Sequence, residues 1–178
     1  MSDEATGWFE PLYTAARDGE REIPWNRGTA HPLLVDWAAA RGLRGEGRRA
    51  LVVGAGTGYS AAVLSAMGLH VVALESDAEL AASARKQKIK IVEGPLDQGH
   101  AAGAPYDHIL IDGAVGYIPD ALVDQLDDGG RLGAALIDRG VTRLAVGRKA
   151  GNAFGTLSVG DAGVPALPGF QRPRAFTF

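Results

Sequence analysis

The sequence predicts an α/β fold, a mostly parallel sheet with helices on both faces, and three observations predict it. From residue 50 onward, short apolar runs alternate with stretches of helical character. Many of the 25 glycines fall at the joints between those runs. The first run is continuously apolar rather than alternating, as a strand buried on both faces is. At 178 residues and 46% apolar content, the chain suffices for one domain with a sizeable core.

Ala50-Leu51-Val52-Val53 opens the pattern as a strand running into glycines, and Ser60 to Met67 follows as a helix. His70 to Glu75 is the second strand, and Asp77 caps a helix to about Lys86. Residues 89–92 and 106–111 give strands three and four, Pro119 to Leu126 a helix, and Gly130 to Ile137 strand five. Val141 to Arg148 and Phe154 to Val159 then read as an antiparallel hairpin about the Lys149-Ala150-Gly151-Asn152 turn. Phe176 and Phe178 are expected to anchor the tail. A single domain over 1–178 divides into a core, 46–178, and an N-terminal helical cap or substrate-entry segment, 1–45. In that cap, residues 7–18 read as a short helix with aromatics on one face, and 20–28 as a polar loop. Thr29 caps a helix through Arg41, with Pro32 in its first turn and Leu34 and Trp37 on one stripe.

Composition narrows the function. Eighteen basic against 21 acidic residues give a net charge of −3, and no basic run offers a nucleic-acid or membrane-surface footprint. The absence of Cys excludes a disulfide framework, a thiolate metal site and a cysteine nucleophile. The four His are scattered without metal-ligand spacing, so no metal is expected. The acidic start, Met1-Ser2-Asp3-Glu4, lacks the basic head of a secretory signal, and a cytoplasmic monomer or homodimer is expected.

The informative segment is Gly54-Ala55-Gly56-Thr57-Gly58-Tyr59-Ser60, between the first strand and its helix. Glycines there permit a tight turn and close approach of a ligand to the backbone, beside free N–H groups of the helix N-terminus. A dinucleotide loop wants a third glycine where Tyr59 stands, a Walker loop wants a Lys, and a nucleophile elbow closes on Gly where Ala62 stands. The remaining spacing, G-x-G-x-G, resembles motif I of class I S-adenosylmethionine-dependent methyltransferases. Glu75, ending strand two, can accept hydrogen bonds from both ribose hydroxyls of an adenosyl ligand, or can cap the next helix. Asp112, ending strand four in the same crevice, can face a methionine ammonium, a substrate nucleophile or solvent.

The glycine segment, together with Val72-Ala73-Leu74-Glu75-Ser76-Asp77, Tyr106 to Val115 and Val164-Pro165-Ala166-Leu167-Pro168-Gly169-Phe170, resembles bacterial protein-L-isoaspartate O-methyltransferases. The resemblance covers roughly residues 50–172. It implies a Rossmann-like methyltransferase fold with a seven-strand sheet, and S-adenosyl-L-methionine as cofactor with S-adenosyl-L-homocysteine as product. The implied cofactor contacts are Gly54, Ala55, Gly56, Thr57, Gly58, Tyr59, Ser60, Glu75, Ser76, Asp97 and Asp112. The front, Glu22 to Gly28 with His31-Pro32-Leu33-Leu34, resembles instead the entry region of thiopurine methyltransferase-like enzymes, where an aromatic helps cover the cofactor; Trp25 takes that role here. The chain thus reads as a front from one family on a body from another, a natural or engineered chimera.

Two positions depart from the body family's pattern. Val52 stands where an acid usually opens motif I. Pro95 replaces an adenine-contacting carboxylate, for which Asp97 substitutes two residues on. Candidate catalytic groups are Asp112 and Tyr117, with His31 and Trp25 from the front. The expected activity is methyl transfer to a small-molecule acceptor. The alternatives are isoaspartyl protein methylation and, given Val52 and Pro95, a non-catalytic adenosyl-binding or scaffold protein. A nicotinamide oxidoreductase is disfavoured by Tyr59 and the hairpin.

Overall fold

The computed structural model describes residues 36, 38–40, 42, 44–86 and 89–171. The readings for 7–18, 20–28 and Thr29, and those for Trp25, His31, Pro32, Leu34, Trp37, Phe176 and Phe178, lie outside the described residues; Asp36 and Ala38 to Ala40 are helical. Seven strands form one sheet: β1 (Arg49–Val53), β2 (His70–Glu75), β3 (Lys90–Glu93), β4 (Tyr106–Val115), β5 (Leu126–Asp138), β6 (Val141–Ala150) and β7 (Ala153–Asp161). Their order is β3-β2-β1-β4-β5-β6-β7. The pairs among β3, β2, β1, β4 and β5 are parallel, and β5–β6 and β6–β7 antiparallel. The order therefore reverses beside β1, opening a crevice at the carboxyl ends of β1 and β4, where open α/β sheets bind ligands.

Helix α1 (Tyr59–Ala66) connects β1 to β2, and α2 (Ala78–Arg85) connects β2 to β3. As expected, Asp77 caps α2, its side chain accepting from Glu79 N and Leu80 N at 2.8 and 3.0 Å. Glu79 in the first turn and Arg85 in the last suit the helix dipole. One face of the sheet carries the larger core, in which Leu51, Val53, Ile109, Ile111 and Leu132 pack with Tyr106, Leu122 and Phe170. The other is thinner. There Val52 and Ala73 meet Ala55 and Ala61, and small side chains let α1 lie close to the sheet.

The structure revises several boundaries. Helix α3 (Asp120–Asp124) is a turn and a half, because β5 already begins at Leu126. Two short 3-10 turns, Leu96–Gln98 and Ala101–Gly103, fill the link from β3 to β4. Strand β4 continues past Ile111 through a bulge: Leu110 pairs with Gly133 and Ala114 with Ala135, so β4 carries two extra residues there. No crossover helix separates β5 from β6, because Arg139 and Gly140, with φ of 48° and 80°, make a tight left-handed turn between them. After β7 the chain returns to β4. Ala114 N donates to Pro165 O at 2.8 Å, and Leu167 N donates to Ala114 O at 2.9 Å. Phe170, at 1% exposure, anchors the described part of this tail.

Candidate functional site

The loop after β1 turns on three left-handed glycines, Gly54, Gly56 and Gly58, with φ of 74°, 54° and 92°. L side chains rarely adopt this region, which explains why glycine alternates along the segment. The loop is laced to the end of β2: Gly54 N and Ala55 N both donate to Leu74 O, at 2.9 and 3.1 Å. A Cβ placed on Gly56 would meet nothing within 4 Å, so the backbone there faces open space. Gly58 caps α1 without a side-chain bond, and no acid sits in the first turn of that helix. Its leading N–H groups are thus left for solvent or for an anionic ligand group. Thr57, Tyr59 and Ser60 are half-buried at this turn.

Glu75 is only 5% exposed and bonded on both oxygens. Its Oε2 accepts from Gly56 N at 2.7 Å, and its Oε1 accepts from Ser76 N and Asp77 N at 2.8 and 3.0 Å. A carboxylate offers about four acceptor positions. Three backbone N–H groups take most of these and Ser76 Oγ donates to Oε1 at 3.5 Å, so the room for one further donor is on Oε2, where two ribose hydroxyls were expected. Ser76 is exposed at the rim. Asp97, half-buried in the first 3-10 turn, accepts from Gln98 Nε2 at 3.1 Å.

The β4 bulge brings Asp112 out of the ladder, so it is exposed between buried Ile111 and Gly113. Ser60 of α1 lies against its carboxylate. Burial within the crevice raises the Asp112 pKa above the ordinary carboxylate value, and the Ser60 hydrogen bond partly offsets that. Tyr117 is half-buried against Phe170, the rings 6.5 Å apart and tilted.

Two residues escaped the sequence reading. Leu167 packs into the gap left by Gly54 and Gly113; a Cβ on either would come within 2.8 or 2.6 Å of its side chain. The signal was the glycine directly after Asp112. Gln125, buried at 6% exposure, accepts from His100 N and donates to Gln98 O and Ala121 O, which fixes the loop carrying Asp97. A cleft of about 640 Å³ lies at the opposite, amino-terminal edge of the sheet, lined by Arg44, Arg48, His108 and Arg131 among others. The strand polarity places ligand binding away from it. Among the described residues, no cluster of His, Asp and Glu could hold a metal, and no helix is long and apolar enough to cross a membrane.

A strand order that reverses beside a left-handed glycine loop, closed by an antiparallel hairpin, is the Rossmann-like fold of class I methyltransferases. Within that class, the family model for protein-L-isoaspartate(D-aspartate) O-methyltransferase matches residues 28–157, and the chain belongs to that family. A protein-L-isoaspartate O-methyltransferase of Methylorubrum populi is 40% identical over 134 residues, covering 70% of this chain and 63% of the relative. One from a Bradyrhizobium strain is 34% identical over 167 residues, covering 89% of this chain and 78% of the relative. This chain thus spans under two thirds of the first relative's length. A solved protein-L-isoaspartate O-methyltransferase shares the fold at TM-score 0.67 and 23% identity, over 77% of this chain and 46% of that one. A second, the putative enzyme of Plasmodium falciparum in complex with S-adenosyl-L-homocysteine, gives 0.62 at 18%, over 89% and 96%.

These findings correct two expectations. A small-molecule acceptor, as activity and as partner, is overturned by a family defined on a protein acceptor. The mixed-origin reading also falls. The Bradyrhizobium match leaves only 11% of the chain unmatched, so it extends into the front that resembled another family.

Proposed function

We propose that the chain binds S-adenosyl-L-methionine at the glycine loop and methylates the free α-carboxylate of isoaspartyl residues in proteins. The observation carrying this is the loop itself, three left-handed glycines held open by Glu75 at the sheet's order reversal, in a member of this family. The residues fit the cofactor. Open space over Gly56 admits a ligand against the backbone, Glu75 keeps one acceptor position for the ribose, and uncapped N–H groups of α1 suit the amino-acid tail. Asp97 and Ser76 stand at the adenosine side of the rim; Ala55, Thr57, Gly58 and Tyr59 shape the loop. When bound, the cofactor supplies a methyl group activated on a sulfonium.

The acceptor's chemistry decides what the protein has to do. An isoaspartyl carboxylate is already ionised near neutral pH, so no proton needs removal and neither Asp112 nor Tyr117 serves as a base. The chain's contribution is alignment and exclusion of water, worth up to roughly 7–11 kcal/mol for well-oriented reactants. Leu167, packed over Gly54 and Gly113, supplies an apolar wall at the carboxyl ends of β1 and β4.

The test pairs calorimetry against S-adenosyl-L-methionine with methyl-transfer assays on two peptides of one sequence, isoaspartyl and aspartyl. Micromolar binding with ester formed only on the isoaspartyl peptide is expected. Transfer to neither peptide despite cofactor binding would leave the adenosyl-binding reading standing in its place.

A further inference from the structure

Glu75 ends β2 and Asp112 lies in the bulge of β4, the two strands that flank β1, and only Glu75 has its acceptor positions largely filled. We propose that Asp112 is the counter-charge for the cofactor's ammonium group, with Ser60 positioning its carboxylate. The inference rests on the cofactor reading above and decides which of that ligand's groups meets which end of the crevice.

Four observations converge. The β4 bulge lifts Asp112 out of the ladder and exposes it, while Ile111, Gly113 and Ala114 on either side stay buried. Its side chain lies against Ser60, in the first turn of α1, and therefore beside the end of the glycine loop. Gly113, the next residue, turns instead toward Leu167. Strand β1 supplies no charge at this end, because Val52 is fully buried against the small side chains under α1. The Ser60 hydroxyl favours the Asp112 charge, and the exposed carboxylate keeps acceptor capacity for a ligand.

The ligand's charges then select its orientation. S-adenosyl-L-methionine carries a cationic ammonium beside a carboxylate on its tail, and the acceptor is itself an anion. An ionised Asp112 attracts the first and repels the acceptor, so it belongs to the cofactor tail and the acceptor approaches from elsewhere. The uncapped N–H groups of α1 suit the tail's own carboxylate.

The experiment is calorimetry on the full chain, unaltered and as Asp112→Asn, with three probes differing only in the tail. S-adenosyl-L-homocysteine carries ammonium and carboxylate, its desamino analogue the carboxylate alone, and 5′-methylthioadenosine neither. Asp112→Asn is expected to weaken the first by about tenfold or more, as for loss of a charge-assisted bond. It should leave the third unchanged, and the second should bind as tightly as before or more tightly, a carboxylate having been freed of its repulsion. Ser60→Ala, which keeps the charge, should weaken S-adenosyl-L-homocysteine less than Asp112→Asn does. Equal loss for all three probes, or no loss for the first, overturns the assignment. Failure of the unaltered chain to bind any of the three overturns the cofactor reading itself, a distinguishable result. Thermal melts of both variants separate a binding defect from a folding one.

Discussion

Two rims of one crevice hold their carboxylates in opposite ways. At the end of β2, Glu75 is buried and takes three backbone N–H bonds, which tie β2 to the glycine loop before any ligand arrives. In the bulge of β4, Asp112 is exposed and has a pKa raised by the crevice around it, which the Ser60 hydroxyl partly offsets. Carboxylates at equivalent ends of a sheet therefore need not share a role. One sustains the shape of the site, and the other waits for a charge. The contrast predicts opposite stability effects when each is removed.

The largest effect is expected at Glu75. Glu75→Ala removes the acceptor from Gly56, Ser76 and Asp77, and a buried N–H left without a partner costs about 1–3 kcal/mol. The ligand-free chain should lose roughly 2–4 kcal/mol in urea unfolding, because rim exposure lets water replace part of that bonding. Unchanged stability with lost binding would make Glu75 a ligand group alone and dissolve the contrast.

Gly56→Val comes next. A β-branched residue at φ 54° is strained by about 1–3 kcal/mol, and its side chain would occupy the open space above the loop. Calorimetry should find S-adenosyl-L-homocysteine binding abolished, with a smaller fall in melting temperature than for Glu75→Ala. Full binding by this variant would move the ligand away from the loop.

The tail links the rims. A Cβ at Gly113 comes within 2.6 Å of Leu167, so Gly113→Ala should cost about 1–3 kcal/mol by overpacking. Leu167→Ala in the same chain should recover part of it, and a double-mutant cycle should return a coupling of at least ~0.5 kcal/mol. Zero coupling would mean that Leu167 does not close the floor between β1 and β4.

Legibility in the sequence followed locality. The glycine loop could be read because strand, loop and helix are contiguous, and alternating glycines leave few other backbone paths. Glu75 was placed by its strand, but its partners were not, since these depend on where the loop's N–H groups point after folding. The β4 bulge and the insertion of Leu167 join residues distant along the chain, and no period or spacing announces such a meeting. Helix α3 was overdrawn because Leu126 continues an apolar helical pattern while β5 pairing claims it. The acceptor is illegible for a different reason: a short likeness at the front points to a small molecule, whereas the family match runs from residue 28 to 157.

The smallest effect, and the one of opposite sign, belongs to Asp112. Its folded-state pKa lies above the unfolded one because burial disfavours the charge more than Ser60 favours it. A raised pKa means that the folded chain holds this proton more tightly. The stabilisation is fully present below the unfolded pKa and is lost as pH rises through the folded one. At neutral pH the ionised group therefore weakens the ligand-free fold, and Asp112→Asn, which carries no charge at any pH, should melt slightly higher than the unaltered chain. The gap should close as pH falls through the folded pKa toward the ordinary carboxylate range. Saturating S-adenosyl-L-homocysteine should reverse the order at neutral pH, because a ligand that binds the native state stabilises more strongly the chain that binds it more tightly. A side chain that loosens the empty fold and tightens the occupied one is serving the ligand. If Asp112→Asn instead melts lower at every pH, with and without ligand, Asp112 is another structural brace, and the two rims differ in degree rather than in kind.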